Sequence, residues 1–198
     1  MINRISQIIH WIKWRCSSDT NRPNIARKMG VKIGNNCRIF GDVQFGSEPY
    51  LIKIGNNVRI TSNVKFVTHD GGLWVIRNLY KKHDIDKFGS IVIGNNVHIG
   101  WNVVIMPGVE IGNNCVIGVG AVVTNDIPDN SVAVGVPAKV IESIDQYYEK
   151  SLEKIVNTHK MNRIEKREFL EKFFGAKNED MFLDTESVYF RRRTNCGK

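Results

Sequence analysis

The sequence predicts a mainly β fold in which short strands wind into stacked triangular coils. Three observations carry this expectation. The tetrapeptide Ile-Gly-Asn-Asn begins at Ile33, Ile54, Ile93 and Ile111. Large apolar residues recur every six positions: Ile33, Ile39 and Phe45, then Ile54, Ile60 and Phe66, then Ile93, Ile99, Ile105, Ile111, Ile117 and Val123. Four residues after many of them stands a smaller apolar residue, as at Cys37, Val43, Val58, Val64, Val97, Val103, Val109, Cys115 and Ala121. An α-helix repeats its apolar face near 3.6 residues and a half-buried strand near 2, so a period of six describes a short strand plus a turn. Three units close one coil, and one coil buries its interior only by stacking on the next. The Asn pairs suit the corners, where their side chains tolerate turn conformations.

Each segment follows from this frame. Residues 1–30 mix Ile5, Ile8, Ile9, Trp11, Ile12 and Trp14 with Arg4, His10, Lys13 and Arg15, without the unbroken apolar run or cleavage site of a signal peptide. They are expected to form a short N-terminal helical segment that caps the open end of the stack or packs between subunits. The alternative is peripheral contact with a membrane surface. Residues 31–142 form the coil domain. The interval from Ile33 to Ile54 is one coil plus three residues, an insertion assigned to Pro49-Tyr50-Leu51. The longer interval from Ile54 to Ile93 leaves an extruded loop over residues 72–91, carrying Trp74, Arg77, Tyr80, Lys81, Lys82, His83 and Asp84. Loops of that length in compact repeats are often functional. Gly135-Val-Pro-Ala-Lys139 breaks the frame, and the coils end near Ile141. Residues 143–198 read as a C-terminal helical extension and tail. Tyr147, Leu152, Ile155, Ile164, Phe169, Leu170 and Phe173 mark one or two amphipathic helices, with Gly175 as a stop. The tail beyond Lys177 carries Met181, Phe182, Leu183, Val188, Tyr189 and Phe190, to which the pattern assigns no role.

Composition narrows the function. The 198 residues are 42% hydrophobic and 24% charged, as expected of one globular domain with small appendages. The net charge of +8 favours an anionic cofactor, an anionic glycan or lipid headgroups as partner. The basic residues are scattered and no nucleic-acid-binding motif is present, so nucleic acid is not an expected partner. No apolar run reaches the length of a membrane span, and a cytoplasmic location is expected. Cys16, Cys37, Cys115 and Cys196 show no CxxC spacing, so neither a metal site nor a disulfide framework is expected. Cys37 and Cys115 occupy the small inward slot that Val58 and Val97 fill elsewhere.

These repeats, the loop after Thr68-His69-Asp70 and the segment from Ile105-Met-Pro-Gly to Thr124-Asn-Asp-Ile-Pro128 resemble the hexapeptide-repeat acetyltransferases. Gly46-Ser-Glu-Pro-Tyr-Leu-Ile-Lys-Ile-Gly followed by Phe66-Val-Thr-His-Asp-Gly-Gly is most similar to the acetyltransferases of capsule and O-antigen synthesis. The resemblance spans residues 31–142. It implies a left-handed parallel β-helix, against the usual right-handed crossover. It also implies a homotrimer with active sites between neighbouring subunits, and acetyl-CoA as acyl donor.

His69 is the fourth residue of its hexapeptide, at a corner just before the loop, and Glu48 holds the same place one coil earlier. A histidine there can act as general base on a sugar hydroxyl, and a carboxylate beside it can fix its tautomer. Glu48 and Asp70 are rival candidates for that carboxylate. The resemblance places cofactor contacts at Trp101, Val119, Thr124, Asn125 and Lys139, with Gly118, Gly120 and Ala121 letting the pantetheine arm approach the backbone. Trp101 stands where the galactoside enzymes carry a serine, so a backbone N–H must serve the oxyanion. His98 stands where a tryptophan is common, and is read as surface packing before a second catalytic group. Trp74, Arg77 and Tyr80 are expected to shape the acceptor pocket. The expected activity is transfer of acetyl from acetyl-CoA to a hydroxyl of a sugar in surface-polysaccharide synthesis, capsule or O-antigen, with a sugar or polysaccharide precursor as partner. The alternatives are a small free or nucleotide-linked sugar, an antibiotic hydroxyl, or a non-catalytic β-helix scaffold.

Overall fold

A computed structural model describes residues 13–175. The apolar residues Ile5, Ile8, Ile9, Trp11 and Ile12 and the tail from Met181 to Phe190 lie outside the described residues, and so does most of the segment expected to touch a membrane. Among the described residues no helix is long and apolar enough to cross one. The chain divides into two units, Met1–Leu152 and Glu153–Lys198.

In the first unit residues 13–16 are helical, and helix α1 (Arg22–Met29) follows. Pro23 sits in the first turn of α1, where its missing N–H costs nothing, and Gly30 closes the helix at φ 109°. The coils follow. The first holds β1 (Lys32–Ile33) and β2 (Arg38–Ile39); the second β3 (Ile52–Ile54), β4 (Arg59–Ile60) and β5 (Lys65–Phe66). Helix α2 (Leu73–Tyr80) interrupts before the third, β6 (Ile91–Ile93), β7 (His98–Ile99) and β8 (Val104–Ile105). The fourth is β9 (Glu110–Ile111), β10 (Val116–Ile117) and β11 (Val122–Val123). The stack ends in β12 (Ser131–Val134), β13 (Lys139–Ser143) and helix α3 (Ile144–Leu152).

These strands make three parallel faces. The first is β1-β3-β6-β9, the second β2-β4-β7-β10-β12 and the third β5-β8-β11. The six-residue frame is the register itself: Ile33, Ile54, Ile93 and Ile111 lie in one row, and Ile39, Ile60, Ile99, Ile117 and Ala133 in another. Phe66, Ile105 and Val123 form the third row, continued downward by Phe45, whose ring stacks on Phe66 at 5.4 Å. Nearly every large residue of these rows is buried, as are the smaller inward residues, Cys37 and Cys115 included. Burial pushes both thiols up from their ordinary pKa, which makes them poor nucleophiles.

The corner between the first and second faces explains the Asn pairs. Asn36, Asn57, Asn96, Asn114 and Asn130 all take left-handed backbone at φ 54–58°, which Asn tolerates best among residues with a side chain. Their partners form an amide ladder: Asn56 donates to Asn95 at 3.1 Å, Asn95 to Asn113 at 3.0 Å, and Asn113 to Asp129.

Both ends of the stack are partly covered, which blunts the open sheet edges that invite aggregation. At the bottom, Arg22 and Arg27 donate to the carbonyls of Ile39, Ile33 and Gly34, and Trp14 meets Phe45 edge-on at 6.0 Å. At the top, β13 turns back antiparallel on β12. In the second unit, residues 163–175 are helical. Asn162 accepts from the N–H groups of Ile164 and Glu165, and Glu165 accepts from Asn162 N–H, a reciprocal cap. Phe169 stacks on Phe173 there at 5.8 Å.

Candidate active site

The third corner of the prism, between the third and first faces, holds the two insertions. After Phe45 the chain turns at Gly46, whose φ of 65° and closeness to Thr68 Oγ1 both favour glycine. Glu48 follows, and the extra residues Pro49–Leu51 form a single 3₁₀ turn before β3. One coil higher, Thr68, His69 and Asp70 leave β5 and enter the excursion. Its neck is pinched shut: Asp70 N–H donates to Lys87 O, Gly89 N–H donates to Thr68 O, and His69 pairs with Phe88. His69 therefore sits where a regular coil opens into an irregular segment.

The structure brings His69 and Glu48 together. Nδ1 of His69 lies 3.1 Å from Glu48 Oε2, and the same oxygen accepts the Thr68 hydroxyl at 2.6 Å. Ser47 Oγ lies 3.3 Å from the same ring nitrogen. These bonds, the Thr68 hydroxyl first, hold the Glu48 carboxyl below its ordinary pKa, so it is a carboxylate at neutral pH. Nε2 of His69 makes no hydrogen bond among the described residues, and the ring is 48% exposed. Asp70 is turned to other work. Its carboxylate accepts Gly72 N–H at 2.9 Å and faces Lys87 Nζ at 3.3 Å, and these two interactions hold its pKa down.

His69 opens onto a cleft of about 380 Å³ that Asp70, Lys87, Met106, Pro107 and Thr124 also line. Thr124 and Asn125 thus share the edge of His69, and Asn125 donates to the Thr124 hydroxyl at 3.1 Å. Trp101 and Val119 do not. They stand on the corner between the second and third faces, 54% and 71% exposed, with Val136 equally bare above them. Lys139 begins β13 just past that corner and is exposed. The candidate residues are therefore split between two edges of the prism, with the third face between them.

Several expectations change. Ala121 is buried and fills an inward slot, so it is core and not a path for a pantetheine arm. A Cβ at Gly118 would stand 2.6 Å from Val134, so packing accounts for that glycine, whereas Gly120 is set by its φ of 72°. Arg77 is held inside the loop, where its Nε donates to Ile85 O at 2.7 Å and its terminal nitrogen pairs with Asp86, so it braces the excursion. The extruded loop is not irregular throughout, since α2 fills its first half with Trp74 and Tyr80 exposed. His98 is half-buried on the second face, aligned with Arg59; burial first, then that guanidinium, depress its pKa. It lies away from His69. Thr68 is the member of the constellation that the pattern did not single out. Its signal was the occupancy of a normally exposed corner slot by a β-branched hydroxyl next to the candidate base. Among the described residues no three His, Cys, Asp or Glu side chains converge as a metal site.

A family model for the bacterial transferase hexapeptide, six repeats, matches residues 90–125. Over 146 residues the chain is 56% identical to protein CapG of Staphylococcus aureus, a span that covers 73% of this chain and 84% of that protein. It is 54% identical over 74 residues to the galactoside O-acetyltransferase of Escherichia coli strain K12, covering 33% of this chain and 36% of that enzyme. Among solved structures, a galactoside acetyltransferase in complex with coenzyme A matches with a TM-score of 0.57 at 32% identity, covering 74% of this chain and 82% of that one. A Vibrio cholerae hexapeptide-repeat acetyltransferase complexed with acetyl-coenzyme A matches with a TM-score of 0.54 at 25% identity, covering 71% and 86%.

Proposed function

Because the chain belongs to the hexapeptide-repeat transferases, we propose that it is an acetyl-CoA-dependent O-acetyltransferase acting on a sugar hydroxyl in surface-polysaccharide synthesis, with His69 as general base. The observation that carries this reading is the imidazole held through Nδ1 by a carboxylate, with Nε2 bare toward a cleft. Its relatives, a galactoside O-acetyltransferase and structures with coenzyme A or acetyl-coenzyme A, support the donor and a sugar acceptor. The segments around Glu48 and His69, similar to capsule and O-antigen enzymes, favour the polysaccharide branch.

The residues do the following. Glu48 accepts Nδ1–H, which leaves the Nε2 lone pair to take the proton of the acceptor hydroxyl as its oxygen attacks the thioester carbonyl. The new C–O bond forms, the C–S bond breaks, and the proton on Nε2 passes to the departing sulfur. Glu48 remains ionised and offsets the imidazolium charge. The developing oxyanion needs an N–H, and Trp101 N–H is unbonded among the described residues. Trp101 and Val119 offer an exposed apolar edge, Thr124 a hydroxyl and Lys139 a cation, which together fit the chemistry of a phosphorylated pantetheine donor.

The similarity to hexapeptide-repeat acetyltransferases supports a left-handed β-helix, and the split of these residues over two edges supports a homotrimer in which one subunit's His69 edge faces the next subunit's Trp101 edge. The domain limits proposed are a cap over residues 1–30, the coil domain over 31–142 and an extension over 143–198. The similarity to galactoside enzymes favours one second reading, a small free sugar as acceptor.

The test is an acceptor screen read by free-thiol release from acetyl-CoA, with capsular or O-antigen fragments, nucleotide sugars and free galactosides as separate arms. Saturable thiol release with a glycan fragment is the expected result. Release with free galactosides alone would favour the second reading. Absence of both acceptor-dependent release and saturable acetyl-CoA binding would leave a scaffold.

A further inference from the structure

We propose that Thr68 is a positioning residue: its buried hydroxyl clamps Glu48 so that His69 keeps its proton on Nδ1 and presents a bare Nε2. This rests on the reading of His69 as the base.

The argument begins with the repeat frame. Thr68 is the third residue of its hexapeptide. None of the equivalent residues is buried: Asn35, Ser47, Asn56, Asn95, Trp101 and Asn125 are exposed and Gly41, Ser62, Pro107 and Asn113 partly so, whereas Thr68 is 0% exposed. A hydroxyl buried without a partner is costly, so this one needs an acceptor. It finds Glu48 Oε2 at 2.6 Å, the same oxygen that lies 3.1 Å from His69 Nδ1. Thr68 itself has little freedom. Its carbonyl accepts Gly89 N–H at 2.9 Å in the neck of the excursion, and a Cβ built on Gly46 would lie 3.0 Å from its Oγ1. The clamp is therefore anchored to the coil, while Glu48 hangs from an irregular 3₁₀ connection.

The need for a clamp follows from Ser47. Its Oγ is 3.3 Å from the same ring nitrogen, and a serine hydroxyl both donates and accepts. If Ser47 donated to Nδ1, the ring proton would move to Nε2, and Nε2 could no longer accept the proton of a substrate. An ionised carboxylate only accepts, so Glu48 held within reach of Nδ1 selects the Nδ1–H tautomer. Loss of the Thr68 hydroxyl frees Glu48 to swing toward solvent and leaves the choice of tautomer to Ser47.

The experiment compares Thr68→Val, which keeps the shape, with Thr68→Ser, which keeps the hydroxyl, in wild-type and Glu48→Gln backgrounds. Turnover is followed by thiol release, and the His69 ring nitrogens by ¹⁵N NMR. T68V is expected to lower kcat by about 10- to 100-fold, part of the 10²–10⁴ that a general base contributes, with KM for acetyl-CoA changed by less than about twofold. The Nδ1–H signal should weaken in favour of Nε2–H. T68S should recover most of the loss, and T68V should add less than about twofold to E48Q. An unchanged tautomer with kcat within about twofold of wild type would overturn the proposal, as would a full T68V effect in E48Q. If T68V does not fold, Thr68→Ala is read against the same two outcomes. If His69→Ala retains turnover, the base assignment falls, and the ring-nitrogen spectra of the Thr68 variants still decide whether Thr68 sets the tautomer.

Discussion

The upper and lower coils of the prism share one interior and one asparagine corner, and differ on their outer strand positions and at the corner that holds His69. In the upper coils, residues 93–123, the six-residue frame runs without a break, and the outward strand positions are mostly aliphatic or weakly polar: Val92, Val104, Val116 and Val122, with His98 and Glu110 among them. In the lower coils the frame is broken twice at one corner, and the outward positions are Lys32, Lys53, Arg38, Arg59, Gln44 and Lys65. Two like-charged pairs, Lys32 with Lys53 and Arg38 with Arg59, stand directly in register, an arrangement that costs stability. The second is relieved by Phe40, whose ring lies 5.6 Å and 5.0 Å from the two guanidinium carbons, and by Asp19, which pairs with Arg38. The unbroken half builds a scaffold. The interrupted half bends the chain away from the frame, and there Glu48, Thr68 and His69 meet.

This contrast can be sharpened by substitution. The largest stability effect should come from the inner rows. Ile99→Ala, at the middle of its row and fully buried, should lose about 2–5 kcal/mol in denaturant unfolding. Ile33→Ala, partly exposed in the end coil, should lose clearly less. Equal losses would contradict a stack whose middle is better packed than its end. Next come the corners. Asn114 has a φ of 54° and bonds Asn96 below and Asn130 above. Asn114→Ala should lose about 1–2 kcal/mol through left-handed strain, and Asn114→Gly less. If glycine were no better than alanine, left-handed strain would not be what the asparagine relieves there.

Acid sensitivity gives smaller effects. Glu48 has its pKa depressed in the fold, so its contribution is present above its ordinary value of 4.5 and is lost as pH falls through the lower folded value. Glu48→Gln should therefore flatten the fall of Tm below about pH 4.5, and parallel curves for variant and wild type would refute it. The smallest effect is expected at Asp129, the acid at the top of the amide ladder, whose pKa is depressed first by Asn113 N–H and then by the Asn113 side chain. Asp129→Asn should lower Tm slightly at pH 7 and converge on wild type in acid, checked by the same melting curves.

The two halves were also unequally legible in the sequence. The rows of Ile33, Ile39 and Phe66 and the inward slots of Cys37 and Cys115 follow from periodicity, because a repeat can bury its interior in only one register. The proximity of Glu48 and His69 was visible as equal positions in successive hexapeptides, given that Pro49–Leu51 bulges. The rest was hidden because it depends on contacts with no fixed spacing. The salt bridge that turns Asp70 toward Lys87, the brace from Arg77 to Asp86 and the helix within the excursion are set by how the loop folds back on itself. The burial of Thr68 depends on a glycine 22 residues earlier and on the neck of the loop, neither of which a six-residue frame encodes.

The central claim is that the bare Nε2 of His69 removes the acceptor proton, and the most direct measurement is turnover of His69→Ala alongside its acetyl-CoA affinity. The account predicts a loss of about 10²–10⁴ in acceptor-dependent thiol release while acetyl-CoA binding and Tm stay near wild type. Turnover within about twofold of wild type in that variant would contradict it.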